Sequence, residues 1–272
     1  MKVLAIFTCF NRVEKTINSI KSLVDGNKNL DFEFIVVDDG SKDGTVEELK
    51  KLSNTIPIYI MQGTGSLFYS GGMRTGMEYA LKSLKKKYDY LLMMNDDVDF
   101  FENCICELVS QSVEKHAVIV GTTCNHEGNL TYGAIKYRSG YKYDTLGINQ
   151  STIQADAFNA NCVLIPYSFF CECGSIDSHY IHSLGDFDYG LMLKRRGYKI
   201  YPSNNYCGYC ERNNIKGSWL DTTLSIKKRL ELKETNKGQP KKQWFYFLNK
   251  NFGLIIAVRG VVTSYLRIML RR

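Results

Sequence analysis

The sequence is poor in proline and has no regular pattern of cysteines. Four prolines and 22 glycines among 272 residues give no sign of a low-complexity or disordered chain. The nine cysteines are scattered, and a chain of this size does not need disulfides to stabilise its core. Cys207 and Cys210 form a single C-x-x-C without the second pair that a zinc knuckle needs. We therefore expect reduced, unligated thiols in a cytosolic protein.

Long uncharged apolar segments are also absent from the sequence. The opening residues, MKVLAIFTCFNR, contain an apolar run that is too short for a signal peptide and leads directly into polar turn residues. Near the other end, Arg259 and Arg267 interrupt the apolar run, so no stretch is long enough to span a bilayer. The hydrophobic content of 44% is still ample for one large domain with an appendage.

Charge is distributed unevenly along the chain. Residues 226–272 carry twelve Lys and Arg against two Glu, a net charge of +10, whereas the whole chain carries +7. Residues 1–225 therefore form a mildly acidic body with a net charge of −3. A basic tail of this kind indicates an anionic partner surface, either a nucleic acid or a membrane.

Apolar runs alternate with helical patterns along the first half of the chain. Predicted buried strands occupy residues 2–7, 31–37, 56–61, 90–94 and 117–120. Between them apolar residues recur at helical spacing, as in Val13, Ile17, Ile20 and Val24, and Asp43 is a candidate cap for the second helix. The alternation predicts an α/β fold with a doubly wound, mostly parallel sheet.

The second half of the chain is less regular. Residues 130–154 have no helical period and predict hairpins or an insertion, and residues 161–166 predict another strand. A helix opens at Gly185 and is followed by a short strand at residues 198–201. Residues 63–72, GTGSLFYSGG, predict a glycine-rich loop.

Acidic residues directly follow two of the predicted parallel strands. Asp38 and Asp39 end one strand, and Asp96, Asp97 and Asp99 follow another. The carboxyl ends of parallel strands meet at one edge of a sheet, where α/β proteins bind their ligands. A divalent cation that also holds phosphate oxygens would relieve the repulsion between these carboxylates, whereas the simpler interpretation is an acidic, solvated turn.

Several short motifs in a fixed order resemble those of the family 2 glycosyltransferases. They are TCFNR at residues 8–12, VVDDGSKDGT at 36–45, NDD at 95–97 and LGDFDYGLMLKRRGY at 184–198. Residues 65–81 are similar to a bacterial, rhamnosyltransferase-like branch of that family. The resemblance covers about residues 2–213 and implies the GT-A fold, a Rossmann-like sheet. It also implies sugar transfer from a nucleotide sugar with inversion, in cell-surface polysaccharide synthesis.

The resemblance also implies roles for individual residues. Phe10 would stack on the donor base, and either Asp38 or Asp39 would accept a hydrogen bond from it. Asp186 would be the general base, with Asp188 as the alternative. Asp97, with Asp96 or Asp99, would hold Mg²⁺ or Mn²⁺. The remaining predicted donor contacts are Thr8, Arg12, Gly72, Arg74 and Asn95.

The chain departs from the family pattern at two places. The general-base motif reads Gly-Asp at Gly185 and Asp186, without its leading acid. No histidine follows the last strand, where many relatives have a further metal ligand; Cys207 and Cys210 occupy that region, and thiolates suit hard cations poorly. His179 and His182, just before the general base, are candidate acceptor contacts.

Two other functions remain open from the sequence. A nucleotidyltransferase that makes a sugar nucleotide would need a glycine-rich loop after the first strand, and residues 8–12 contain no glycine. A nucleic-acid-binding protein would use the basic tail and would leave the acidic sheet edge unexplained.

The sequence predicts two regions with different roles. Residues 1–225 form a catalytic domain, with a nucleotide-binding half at 1–100 and an acceptor-binding half at 101–225. Residues 226–272 form a basic, helical tail with an aromatic cluster at 244–247. Aromatic and basic residues beside apolar ones are typical of the lipid headgroup region, so we expect a peripheral membrane protein at the cytoplasmic face. The alternative is that the tail helices pack on the body.

Overall fold

The computed structural model describes residues 1–84 and 87–270. The strands are β1 (Lys2–Cys9), β2 (Asp31–Asp38), β3 (Ile58–Gln62), β4 (Tyr90–Met94), β5 (Asp99–Phe100), β6 (Val118–Cys124), β7 (Ala134–Ser139), β8 (Lys142–Leu146), β9 (Ala157–Phe158), β10 (Cys162–Pro166) and β11 (Ile200–Tyr209). The helices are α1 (Val13–Gly26), α2 (Thr45–Leu52), α3 (Phe68–Ser83), α4 (Cys104–Lys115), α5 (Tyr167–Cys173), α6 (Gly185–Arg195), α7 (Ile226–Lys233), α8 (Lys241–Phe252) and α9 (Leu254–Met269). A short 3₁₀ helix spans Ile148–Gln150.

The main sheet has eight strands in the order β3-β2-β1-β4-β10-β6-β11-β5. Strands β3, β2, β1 and β4 run parallel, as the sequence predicts. Strand β10 lies between β4 and β6 and is antiparallel to both. Because of this reversal β10 begins at the edge where β4 ends, so the residues just before β10 reach the same edge as the acidic turns.

Side chains of the central strands alternate between two hydrophobic clusters on opposite faces of the sheet. Leu4 and Ile6 of β1 face the cluster that contains α3, α6 and α8. Val3, Ala5 and Phe7 face the cluster that contains α1 and α4. Burial on both faces explains why these strands are continuous apolar runs in the sequence.

Three sequence predictions about elements need correction. Helix α3 begins at Phe68, so the second half of the predicted glycine-rich loop is helical. Strand β11 continues to Tyr209 rather than ending at residue 201, because irregularities in its pairing break the apolar pattern. The N-cap position of α2 is Gly44 rather than Asp43, although Asp43 Oδ1 accepts the backbone N–H of Thr45, the first residue of the helix, at 3.2 Å.

The small sheet β8-β7-β9 confirms the predicted hairpin region. The turn between β7 and β8 reaches the C-terminal helices, where the Tyr141 hydroxyl lies 3.1 Å from the Thr263 hydroxyl. Tyr143 of β8 lies near α6, with its ring 5.4 Å from that of Phe187. The hairpin therefore connects the C-terminal helices with the start of α6.

The C-terminal helices begin where the sequence places the start of the tail. The Ser225 side chain accepts a hydrogen bond from the backbone N–H of Lys228 and caps α7. In α8, Trp244, Phe247 and Leu248 are buried in the same cluster as the sheet. Among residues 1–84 and 87–270, no helix is both long and apolar enough to cross a membrane. Arg271 and Arg272 of the predicted tail lie outside the described residues.

Candidate active site

A cavity of about 630 Å³ lies at the sheet edge where β1, β2 and β4 end. Its volume is typical of a site for a small ligand. It contains eight of the residues that the sequence assigns to the site: Thr8, Phe10, Arg12, Asp39, Asn95, Asp96, Asp97 and Asp186. The structure thus brings the predicted donor contacts and the predicted general base into one cavity.

The structure distinguishes the two aspartates that end β2. Asp38 is buried, and its Oδ1 accepts hydrogen bonds from the backbone N–H groups of Gly40 and Ser41, so it stabilises the turn. Asp39 lines the cavity, and its carboxylate accepts three backbone N–H groups from the loop that precedes α3. Asp39 is therefore the one of the pair that a ligand can reach.

The rest of the VVDDGSKDGT motif holds the neighbouring TCFNR loop in place. Ser41 Oγ accepts the backbone N–H of Asn11 at 2.8 Å. Asp43 Oδ2 accepts the backbone N–H of Val13 at 2.9 Å and so satisfies the first turn of α1. This loop positions Phe10, whose side chain is 47% exposed and lines the cavity.

An ion-pair cluster occupies the acidic end of β4. Arg12 Nη1 lies 3.3 Å from Asp96 Oδ1 and 3.0 Å from Asp97 Oδ2. Burial raises the pKa of Asp96 to about 6, although Arg12 opposes this shift. Arg12 is therefore a cation of the protein itself that contacts both carboxylates.

Cys210 contacts the acidic cluster. The sequence alone did not indicate this contact. Its Sγ lies 3.8 Å from Asp97 Oδ1 and 3.4 Å from the Asn161 side-chain amide, which donates to it. Burial, together with the charge of Asp97, raises the pKa of the Cys210 thiol to about 12. The thiol is therefore protonated at neutral pH and donates a hydrogen bond to Asp97. All nine cysteines are free.

The carboxylate of Asp186 lines the same cavity and belongs to the first turn of α6. Its Oδ2 accepts the backbone N–H of Ala160 at 3.1 Å, and its Oδ1 accepts that of Phe187 at 3.0 Å. Burial raises the pKa of Asp186 to about 6, although these hydrogen bonds lower it. A carboxyl group with this pKa is ionised at neutral pH and can still accept a proton from a ligand.

Aromatic side chains surround Asp186. Tyr69, Tyr143 and Phe187 line the cavity near it, and Asp186 contributes to raised pKa values of both tyrosines, for which burial is the larger cause. Rings of this kind offer flat apolar surfaces on which a sugar ring can pack.

Three of the five described non-glycine residues with a positive φ angle lie at or beside the cavity. Asn11, Phe68 and Leu184 have positive φ angles of 50°, 54° and 72° without being glycine. Phe68 and Leu184 line the cavity, and Asn11 adjoins it. Each such conformation costs about 1–3 kcal/mol and is typical of functional loops.

Two predicted donor contacts have a structural role outside the cavity. Arg74 Nη1 donates to the backbone carbonyls of Asp177 and Tyr180, at 3.3 and 3.0 Å, and so holds the segment that leads to α6. Gly72 packs α3 against β1, because a Cβ on it would lie 2.4 Å from Thr8 Oγ1. Both residues support the cavity from behind rather than lining it.

Asp188 and Asp99 also lie away from the cavity. Asp188 is 3% exposed, and its carboxylate receives hydrogen bonds from Lys250 and Asn251 of α8. Asp188 is two residues beyond Asp186 in the helix, and its side chain points into the core and not toward a ligand. Asp99 lines an adjacent cavity, which also borders Asp97 and Cys210.

The cavity also contains residues to which the sequence assigns no definite role. His182 lines it, and burial lowers the pKa of its imidazole. Lys237, in the loop between α7 and α8, lines it and forms no ion pair with any described residue. Asn161 reaches the cavity because β10 is antiparallel, a reversal that the apolar pattern does not reveal. His179 stacks on Tyr246 outside the cavity.

Residues 4–170 match the model of glycosyl transferase family 2. This region covers more than half of the chain. The chain belongs to this family. Membership of this family favours the glycosyltransferase function over the nucleotidyltransferase alternative. The rhamnosyltransferase-like branch remains a prediction.

Solved structures of other proteins share the GT-A fold of this chain. The structure of S. aureus TarS has a TM-score of 0.55 and 16% identity, over 93% of this chain and 44% of TarS. The structure of TarS 1-349 in complex with UDP-GlcNAc has a TM-score of 0.58 and 14% identity, over 98% of this chain and 72% of that chain. The mannosyltransferase PcManGT from Pyrobaculum calidifontis, in complex with GDP-Man and Mn²⁺, has a TM-score of 0.58 and 11% identity, over 96% of this chain and 74% of that chain.

Because the sequence identities are low, the similarity to these structures supports the fold alone. The chain spans less than half of the full TarS chain. No curated protein matches the sequence.

Proposed function

We propose that this glycosyltransferase moves a sugar from a nucleoside-diphosphate sugar to a saccharide or lipid-linked saccharide, with inversion at the anomeric carbon. The observation that carries the proposal is that an exposed aromatic ring, an acidic cluster with a cation and a carboxylate with a raised pKa line one cavity. The TarS and PcManGT structures contain UDP-GlcNAc and GDP-Man, which supports a nucleotide-sugar donor.

The donor base binds between Phe10 and Asp39. The exposed ring of Phe10 offers a stacking surface. Asp39 already accepts three backbone N–H groups, and an ionised carboxylate has about four acceptor sites. The remaining site suits the N–H of a pyrimidine base, so we propose a UDP-sugar or dTDP-rhamnose as the donor.

A divalent cation, Mg²⁺ or Mn²⁺, fits the acidic cluster when the donor is bound. Within the described residues no group of three His, Cys, Asp or Glu side chains can hold a metal ion. Mg²⁺ in proteins often binds one or two carboxylates together with substrate phosphates, so a preformed cage is not required. Asp97 and Asp96 supply the carboxylates, and the buried Asn95 Oδ1 lacks a hydrogen-bond partner. The bound cation would neutralise charge on the leaving diphosphate.

The protein's own charged groups have two tasks in this reaction. Arg12 neutralises the acidic cluster and lines the cavity in which the diphosphate would bind. Asp186 takes the proton of the acceptor hydroxyl as that oxygen bonds to the anomeric carbon. The bond from the anomeric carbon to the diphosphate breaks in the same displacement, and its electron pair leaves with the nucleoside diphosphate. A single displacement needs no covalent nucleophile and inverts the configuration.

The acceptor binds against the aromatic wall near Asp186. Tyr143 and Phe187 line the cavity together, with their ring centroids 5.4 Å apart. Their rings would pack on an acceptor sugar and orient its hydroxyl toward Asp186. The setting we propose is cell-surface polysaccharide synthesis at the cytoplasmic face of the cell membrane.

A donor screen tests this proposal directly. Purified protein would be incubated with UDP-, dTDP- and GDP-sugars, and nucleotide release would be measured with and without Mg²⁺ or Mn²⁺. We expect release from one pyrimidine-nucleotide sugar and loss of release in Asp39→Asn. Asp144→Asn, a change at an exposed carboxylate of β8, is the matched control. Binding of no nucleotide sugar at all would contradict the proposal.

A further inference from the structure

Helix α9 presents a largely apolar face to the outside of the molecule, with Arg259 within it. Ile255 is 85% exposed and Val262 is 51% exposed. Exposed apolar side chains recur every three or four residues along the helix: Ile255, Val258, Val262, Leu266 and Met269. This spacing places them on one side of the helix. Contiguous apolar surfaces of this kind mark interaction sites in soluble proteins.

The opposite side of α9 is fixed against the rest of the protein. Ala257, Gly260, Ser264 and Ile268 are its buried residues. A Cβ at Gly260 would lie 2.2 Å from Leu248 Cδ1 of α8, so the two helices are in close contact. The helix cannot rotate to bury its outer face without losing this packing.

The charged side chains of α8 and α9 are all basic. Residues 241–270 contain no aspartate or glutamate. Arg259 and Arg267 are exposed on α9 itself, and Lys241 and Lys242 are exposed at the start of α8. The surface therefore suits a partner that is apolar in its interior and anionic at its boundary.

We propose that the outer face of α9 lies in the headgroup region of an anionic lipid bilayer, parallel to the membrane plane. A helix of 16 residues is about 24 Å long, shorter than the hydrocarbon core, so it fits an interfacial position and not a span. The apolar side chains enter the acyl boundary, and Arg259 and Arg267 contact lipid phosphates.

A second copy of this chain fits the surface less well. Two α9 helices that face each other would bring their arginines together, with no carboxylate on either helix to pair with them. A nucleic acid would pair with the arginines and leave the apolar side chains in water. The lipid surface satisfies both the apolar and the basic residues.

The β7–β8 hairpin connects this face with the cavity. At its turn, Gly140 lies against Ile256, and Tyr141 lies against Thr263. Tyr143 of the same hairpin lines the cavity. One consequence, which rests on the proposed function, is that an acceptor carried on a lipid would reach the aromatic wall near the membrane.

Vesicle sedimentation with the full chain tests the apolar side chains. Wild-type protein would be mixed with vesicles of phosphatidylcholine alone or of phosphatidylcholine with phosphatidylglycerol. We expect binding to the anionic vesicles and a loss of about tenfold or more in Ile255→Ser/Val262→Ser, because the buried apolar area is removed. Val113→Ser/Ile215→Ser is the matched control, since Val113 is also 51% exposed and Ile215 is 58% exposed.

The basic residues are tested with the same vesicles. Arg259→Gln/Arg267→Gln should weaken binding to anionic vesicles by about fivefold for each arginine and should reduce its salt dependence. Lys28→Gln/Lys50→Gln, at exposed lysines elsewhere, should bind as the wild type does. Thermal unfolding of every variant would check that it is folded.

Three results would overturn the proposal. The first is that the wild type binds neutral and anionic vesicles equally. The second is that the α9 variants bind vesicles as the wild type does. The third is that the wild type forms a dimer and that Ile255→Ser/Val262→Ser dissociates it. Donor hydrolysis measures the proposed function separately, because none of these substitutions touches the cavity. Loss of vesicle binding together with normal donor hydrolysis would therefore report on the outer face of α9 and not on the active site.

Discussion

At the scale of the residue, the roles of neighbouring aspartates are decided by their contacts. Asp186 and Asp188 are two positions apart in one helix, yet one lines the cavity and the other is held in the core by Lys250 and Asn251. Successive helical residues point in directions about 100° apart, so chemically identical side chains meet different surroundings.

Asp186→Asn separates binding from chemistry. The amide keeps the size of the carboxylate but cannot accept the proton, so turnover should fall by about 10²-fold or more while donor affinity is unchanged. The measurements are kcat and a donor titration by calorimetry. Asp188→Asn should lower thermal stability and leave turnover largely intact. An inactive Asp188→Asn beside an active Asp186→Asn would reverse this assignment.

The pH dependence of turnover should reflect Asp186. Burial raises its pKa to about 6, and only the ionised form acts as a base. At saturating donor and acceptor, kcat should therefore be constant above that pKa and fall by about tenfold for each pH unit well below it. The residual kcat of Asp186→Asn should not show this fall at low pH. If kcat falls in the same way in both proteins, the fall would be due to another group, such as Asp96, whose pKa is also about 6.

Asp97→Asn should abolish transfer and weaken donor binding in Mg²⁺ or Mn²⁺, because the cation loses a carboxylate ligand. The measurements are nucleotide release and the donor dissociation constant, each with cation and with excess EDTA. Full wild-type activity in EDTA would mean that Arg12 alone neutralises the diphosphate. Cys210→Ser, which keeps a hydrogen-bond donor beside Asp97, is the control and should remain active.

At the scale of the element, α8 helps to hold the catalytic helix in place. Lys250 Nζ lies 2.7 Å from both Asp177 Oδ2 and Asp188 Oδ2. Burial opposes ionisation of Asp177, but its hydrogen bonds, among them that from Lys250, lower its pKa. One lysine of the C-terminal region thus links the segment before α6 to α6 itself.

Lys250→Met should destabilise the protein by about 2–3 kcal/mol, because two poorly solvated carboxylates lose their cation. The loss should be present at neutral pH. It should shrink as the pH falls toward the lowered pKa of Asp177, where a protonated carboxyl no longer needs the lysine. Urea unfolding at several pH values measures this effect. Lys242→Met, at an exposed lysine of the same helix, should change little, and an equal loss in both variants would contradict the assignment.

Local sequence signals specify most of the elements but not their partners. Continuous apolar runs predict β1, β2 and β4 because these strands are buried on both faces. The sequence did not predict the orientation of β10 or the length of β11. Both depend on pairing with strands that are distant in sequence.

At the scale of the whole molecule, the predicted division at residue 225 can be tested by unfolding. Trp244 of α8 is buried in the same cluster as the sheet. In Trp219→Phe, the remaining tryptophan fluorescence reports on α8 alone. We expect this fluorescence and the far-UV circular dichroism to change at the same urea concentration, because the helix and the sheet share one core.

Truncation of the chain gives the complementary test. Removing residues after Lys242 would delete the core residues Phe247 and Leu248 and should unfold the protein. Two separate transitions in Trp219→Phe, or a folded truncated protein, would favour an independent C-terminal domain. Membrane binding is therefore tested on the outer face of α9 and not by truncation.

The sequence by itself determined the strands and helices of the nucleotide-binding half and the carboxylates that follow β2 and β4. Burial on both faces forces apolar runs, and turn chemistry forces Asp and Gly after them, so both signals are local. The tertiary structure alone decided that Asp39 and not Asp38 faces the cavity, and that Cys210 lies beside Asp97. It also decided that Trp244, Phe247 and Leu248 of α8 are buried in the core whereas one face of α9 is exposed. These outcomes depend on contacts between residues far apart in the chain, and neither periodicity nor composition encodes such contacts.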